Sequence, residues 1–289
     1  NSEVSMKVSL LMNAINVSGN AILIYGFHCG TEGVAIPTLV SRFVAAFIII
    51  KLLLKDKWSL HLERTFRFNP DWSMIRKILS VGIPNGLENS MFQLGKVLVL
   101  SLVSTFGTYA IAANAVSNVI TLFSILPGQA ICLAVTTVIA RCVGAGDYEQ
   151  AKYYNKKLIL LTHIGMAITI FIVFITLPFI LKVYNLSEAA SEATRHIIWF
   201  HGFCAILIWA ESFTLPATFR ACGDAKACMI ISTVSMWIFR VGASYILGKN
   251  LGLGVFGVWV AMIIDWAFRS LLFGIRYFSG KWKKHALVS

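Results

Sequence analysis

Among the ionisable residues inside apolar runs long enough to cross a bilayer, six stand out: Glu88, Lys96, Glu211, Arg240, Asp265 and Arg269, while Arg42 sits alone in its run. A charge in hydrocarbon is costly, so each is a candidate functional group on that ground alone. At 1.5 Å rise per residue, Glu88 and Glu211 both sit roughly 12 Å from the basic-loop ends of their runs. Two carboxylates at one depth can share a proton or a cation, because burial and mutual repulsion both favour a bound positive charge. The other reading of either carboxylate is a structural ion pair with Lys96 or Arg220. Gln93 and Lys96 join Glu88 and Glu211 as candidates for ion coupling or substrate binding. Asp265 and Arg269 are four residues apart, so they share a helix face and can pair. Arg240, on the preceding run, is placed to join them in a network that neutralises its own charge.

Other motifs carry less. Cys29, Cys132, Cys142, Cys204, Cys222 and Cys228 show neither a CxxC pair nor a His at zinc-finger spacing, and read as packing residues. His196 and His201 are five apart, off the spacing of a two-His metal site, and Trp199 beside them suits an interfacial belt. Gly252 to Gly257 spells GxGxxG, but a dinucleotide site needs a preceding strand in a βαβ unit, and none is indicated. HExxH, GxSxG and clustered carboxylates are missing, which argues against an intramembrane enzyme. Neither a metal nor a cofactor is expected.

The elements that must position these residues follow from composition. Of 289 residues 57% are hydrophobic and 13% charged, and the mean hydropathy is +0.76. Soluble domains carry about 25% charged residues, so an ordinary water-soluble domain is excluded. The net charge of +12 would suggest nucleic acid in a soluble chain; here it marks cytoplasmic loops, and no nucleic-acid partner is expected. Eight runs have the length of a transmembrane helix: 5–26, 33–54, 82–106, 111–140, 157–184, 196–219, 226–248 and 253–276. Pro84, Pro127, Pro178 and Pro216 lie inside or at the ends of these runs, where a freed carbonyl permits bending. Basic residues crowd alternate loops: Lys55 to Lys77, Arg141 to Lys157, Arg220 with Lys226, and Arg276 to Lys284. Only Lys182, Arg195 and Lys249 lie on the other side. The positive-inside rule then puts both termini in the cytoplasm of a multi-pass protein of the cell membrane.

A shift of 224 residues lays Gly33-Val34 on Gly257-Val258 and Lys57-Trp58 on Lys281-Trp282, at the ends of equally long runs. The second run thus repeats the eighth, and the last six form one complete bundle. The expected organisation is 1–54 as the last two helices of an N-terminal lobe, 55–76 as a cytoplasmic linker meeting anionic lipid, 77–279 as a six-helix C-terminal lobe, and 280–289 as a cytoplasmic tail. About four more helices are expected upstream.

Val81-Gly82-Ile83-Pro84-Asn85-Gly86-Leu87-Glu88 resembles the opening of the seventh helix of the multidrug and toxic compound extrusion family. Further marks are Ala112-Ala113-Asn114-Ala115, Ala140-Arg141-Cys142-Val143-Gly144-Ala145-Gly146-Asp147, Phe219-Arg220-Ala221-Cys222-Gly223-Asp224-Ala225 and Gly254-Val255-Phe256-Gly257-Val258-Trp259, while Asp265-Trp266 through Lys281-Trp282 is similar to the Gram-positive bacterial branch. The resemblance implies a two-lobed, twelve-helix antiporter that exports organic cations or other drugs against proton or sodium entry. It implies that Glu88 holds the acidic position of the seventh helix and that Glu211 lies near an acidic position on the tenth. The family's first four helices, with their coupling Asp, would precede Asn1, so the chain alone is expected to be inactive. Flippases of lipid-linked sugars share the fold superfamily and stand as the alternative.

Overall fold

A computed structural model of the chain describes residues 2–54, 71–280 and 282. They form eight helices: α1 Glu3–Gly26, α2 Glu32–Leu53, α3 Trp72–Ser104, α4 Thr108–Gly144, α5 Tyr148–Tyr184, α6 Glu188–Ala221, α7 Ala225–Asn250 and α8 Gly254–Phe278. No strand occurs among the described residues. The protein is all-α, and seven of the eight helices are long and apolar enough to cross a membrane. The exception, α3, is diluted by Asn85, Glu88, Asn89, Gln93 and Lys96. The one long helix that falls short of a membrane span by composition thus carries Glu88 and Lys96.

Several helices outrun the apolar segments that mark them. At 25 residues, α8 is about 38 Å long and clears a hydrocarbon core of ~30 Å with some tilt. The 37 residues of α5 make about 55 Å, so its polar first turns, with Glu149, Lys152, Lys156 and Lys157, extend past the apolar run. Asp71 caps α3, its carboxylate accepting from the Ser73 and Met74 amides at 2.9 and 3.1 Å, so residues 72–76 of the expected linker are helical. Residues 55–70 and most of the expected tail lie outside the described residues.

Contacts divide the chain into two units, 1–70 and 71–289. The first is the α1–α2 hairpin. Gly19 permits its close approach, since a Cβ there would stand 2.7 Å from Pro37. Asn16 Nδ2 donates to Thr38 Oγ1 at 2.9 Å, and Asn20 donates to Asn16. Two asparagines that interrupt the first run are therefore bonded within the hairpin, whereas Asn13 and Arg42 are exposed.

The second unit is the six-helix bundle α3–α8. Turn chemistry sets its helix ends: Gly107, Gly146, Gly223 and Gly252 have positive φ, and Asp147 and Ser187 cap α5 and α6. α4 packs on α5 and α6, α3 on α7, and α8 on α6 and α7. The main core gathers Leu102, Met166, Ile170, Trp209, Trp259 and Trp266. Gly257 is required for the α7–α8 contact, because its Cβ would fall 2.8 Å from the Leu247 carbonyl, which is backbone and cannot swing away. Outward faces carry exposed Leu133, Phe179 and Leu207, apolar surface that a bilayer covers.

Candidate functional site

Two helices are widened by π turns. In α6 the turn Ala210–Thr214 is closed by Leu215 N–H bonding to the Ala210 carbonyl, five residues back. In α7 the stretches Met236–Gly242 and Tyr245–Asn250 are π-helical. Such bulges concentrate at functional sites because they re-aim the side chains beyond them. Pro216 follows the α6 turn at a helical first position, where its missing N–H costs little.

Beyond that turn, Arg220 reaches α3. Its Nη2 donates to Glu88 Oε1 at 2.7 Å, and the carboxylate side chain is 11% exposed. The contact is single: Glu88 Oε2 and Arg220 Nε are buried with no protein partner. They adjoin a hollow of about 190 Å³ shared with Asn89, Ser212, Ser232 and Arg269. Water occupies about 30 Å³ per molecule, so the hollow has room for a small ion with its hydration. The free oxygen can take a proton or cation while the other keeps its arginine.

Glu211 lies apart from that pair, inside the π turn. Its Oε1 stands 3.0 Å from His163 Nε2 on α5, and His163 Nδ1 lies 2.6 Å from the Ile206 carbonyl. A carbonyl only accepts, so Nδ1 carries a hydrogen; the Nε2–Oε1 contact then needs one further proton, on the imidazole or on the carboxyl. The two carboxylates placed together by depth in the sequence thus have separate partners. His163 was missed, although it is the one imidazole in its apolar run.

Asp265 and Arg269 pair as their spacing indicates. Arg269 Nε donates to Asp265 Oδ1 at 3.1 Å with side-chain exposures of 3% and 0%, Ser235 donates to the same oxygen, and Arg269 Nη2 donates to the Ser232 carbonyl at 3.1 Å. Arg240 makes no hydrogen bond into this network, but Asp265 attracts its guanidinium, so it belongs to the cluster by charge alone. Its guanidinium lies over the Phe92 ring at 5.3 Å, with Arg269 at 5.4 Å and Lys96 Nζ at 5.0 Å over the same ring. Three cations thus surround one aromatic ring, each attracted by the ring quadrupole and repelled by the other two. Lys96 does not pair with Glu88 or Glu211, and Gln93 sits on the exposed face of α3.

Lys96 and Arg240 line a cavity of about 450 Å³ between α3, α4, α6, α7 and α8. Its walls include Trp209, Phe213, Trp259 and Trp266, with Asn118, Thr121 and Gln129 from α4. Trp259 Nε1 donates to Asn114 Oδ1 at 3.1 Å, and buried His201 sits edge-on to Trp259 and Trp266. Among the described residues no three of His, Cys, Asp and Glu gather as a metal site, and His196 is exposed while His201 is buried. Arg276 on α8 donates to Asp224, in the turn between α6 and α7, through two bonds of 2.6 and 2.9 Å. Burial, with Asp224 nearby, pushes the Cys222 thiol up to about 12, which keeps it a packing residue.

Several known proteins are similar to this chain. A "Probable multidrug resistance protein NorM" of Thermotoga maritima is 27% identical over 289 residues, covering 98% of this chain and 61% of the relative. "Uncharacterized transporter YisQ" of Bacillus subtilis is 26% identical, covering 96% and 62%. The chain therefore spans about three-fifths of the length of these relatives. A solved "Outward-facing conformation of a multidrug resistance MATE family transporter of the MOP superfamily" superposes with a TM-score of 0.86 at 20% identity, over 96% of this chain and 63% of that one. A second, titled "Reverse polarity of binding pocket suggests different function of a MOP superfamily transporter from Pyrococcus furiosus Vc1", gives 0.84 at 21% identity over 95% and 62%. These likenesses carry the fold. The MatE family model matches residues 84–246, from the proline beside Glu88 through the π-helical stretch of α7, and the chain belongs to that family.

Proposed function

We propose that residues 71–280 supply the C-terminal lobe of a two-lobed efflux antiporter that exports xenobiotics against inward proton or sodium movement, with the preceding hairpin ending the other lobe. The observation that carries the reading is the single Glu88–Arg220 bond, with a buried carboxylate oxygen left free beside a hollow of about 190 Å³. An ion that binds there changes the net charge of a membrane-buried pair, which gives two arrangements of the lobe different stabilities. The names of the relatives, multidrug resistance proteins, favour the same activity. Glu88 and Glu211 with His163 are the candidate ion-binding groups, and Arg240, Asp265 and Arg269 form the intramembrane charge cluster. No cofactor is required beyond the coupling ion.

The chain, joined to the upstream segment its relatives carry, is expected to lower drug accumulation in a susceptible strain. Collapsing the proton and sodium gradients separately then identifies the coupling ion; accumulation that stays low with both collapsed overturns antiport. The chain without that segment is expected to confer no resistance.

For orientation, we place the protein in the cell membrane with both ends in the cytoplasm, on the alternation of basic loops. Cysteines introduced at Gly107 and Ser187, in a background without the native six, are expected to react with impermeant maleimide from outside. Labelling at residue 150 instead reverses the orientation.

A further inference from the structure

The charges around Phe92 do not balance. Glu88 is engaged by Arg220, and Asp265 is sealed from the cavity by Arg269 and Ser235 at 0% exposure. Lys96 and Arg240 form no ion pair within 4 Å among the described residues, and the one carboxylate that attracts Arg240, Asp265, is already shared with Arg269. Both line the cavity of about 450 Å³ and the adjoining one of about 220 Å³, and no Asp or Glu lines either. Three cations around one shared carboxylate leave an excess of positive charge at this wall, which a bound anion relieves. An organic cation entering here meets repulsion from two positive groups, against only the π faces of the aromatic walls.

We infer that this cavity takes an amphipathic organic anion, its carboxylate, sulfonate or phosphate head held by Lys96 and Arg240 and its aromatic or apolar body against Phe92, Trp259 and Trp266. The inference rests on the transport reading and narrows its substrate class away from the organic cations that the family resemblance implies. Arrangement supports the division of roles. Arg240 is aimed inward by the π stretch Met236–Gly242 and steadied on Phe92 at 5.3 Å, a fixed planar donor. Lys96 is exposed on α3 and flexible, suited to heads of different size. Asn114 and Asn118 add amide groups at the same wall. A cavity of this size matches a drug-sized ligand.

The test is equilibrium binding to the purified full chain in detergent, using two probes with one aromatic body and opposite charge, 2-naphthalenesulfonate and 2-naphthylmethylammonium, followed by calorimetry. The sulfonate is expected to bind at least about tenfold more tightly, the worth of one charge-assisted contact. Lys96→Gln and Arg240→Gln are each expected to remove most of that preference, Lys96→Arg to keep it, and Lys96→Glu to reverse it. Lys96 is exposed, so its variants keep the fold, which circular dichroism checks. Equal or tighter binding of the ammonium probe, or sulfonate affinity unchanged in Lys96→Gln and Arg240→Gln, overturns the inference. A short-chain phosphatidylglycerol is titrated separately: displacement of bound sulfonate supports a shared anion site, whereas lipid binding with no sulfonate binding overturns a soluble substrate. Because binding is read without any gradient, its failure is distinct from a failure of the antiport reading, which the gradient-collapse assay reports alone.

Discussion

Glu88→Gln is expected to abolish gradient-driven export while leaving the amount of protein in the membrane near normal. The amide keeps the size of the carboxylate and its Oε1 can still accept from Arg220, now 2.7 Å away, so α3 and α6 stay joined. What is lost is the capacity to bind and release a positive charge at the second oxygen. Measured in cells producing the chain together with its upstream segment, drug accumulation should rise to the level of the empty strain. Glu88→Asp keeps the charge on a shorter stem and should retain part of the export. Full export by Glu88→Gln would remove Glu88 from the coupling machinery and leave the pair a structural tie.

Arg269→Met is expected to cost about 3–5 kcal/mol of stability, because it strands a carboxylate in a site that water cannot reach. Asp265 is 0% exposed and has only Ser235 besides the arginine. Replacing both members, Asp265→Leu with Arg269→Met, should recover much of the loss, since a fully apolar pair needs no compensation. Unfolding midpoints of the three variants in detergent separate these outcomes. A double variant as unstable as the single one would mean that packing against Phe92 and Phe213, 5.4 and 5.7 Å from the guanidinium, matters more than charge.

Much of the fold was legible because bilayer thickness imposes itself on sequence. Eight apolar runs became eight helices, and Asp265 with Arg269 paired at the spacing a regular helix dictates. Helix ends were less legible, since α5 begins at Tyr148 in polar residues that hydropathy assigns to a loop. Partners across the bundle were hardest. Arg220 was counted among loop residues and also named as one possible partner for a carboxylate; 132 residues separate it from Glu88, and only the packed bundle brings them together. His163 escaped notice because a single imidazole in an apolar run has no spacing to give it meaning. Depth alone places Arg240 near Asp265 and Arg269, but it does not show that the π-helical stretch also lays its guanidinium over Phe92.

The π turn at Ala210–Thr214 also bears on how relatives are aligned. It holds one residue more than an α-helix of that span requires. Deleting a single residue there would restore ordinary winding and leave the segments on either side in nearly the same phase, because the wide turn takes up its extra residue within one turn. Arg220 would then stay on the α3 side beside Glu88, and what would change is the aim of Glu211 and its neighbours inside the turn. A one-residue gap at this place therefore marks a local change of width and not of phase. A relative without the extra residue should still turn its arginine toward the acidic residue on α3, and comparisons that run through without a gap will pair the wrong faces.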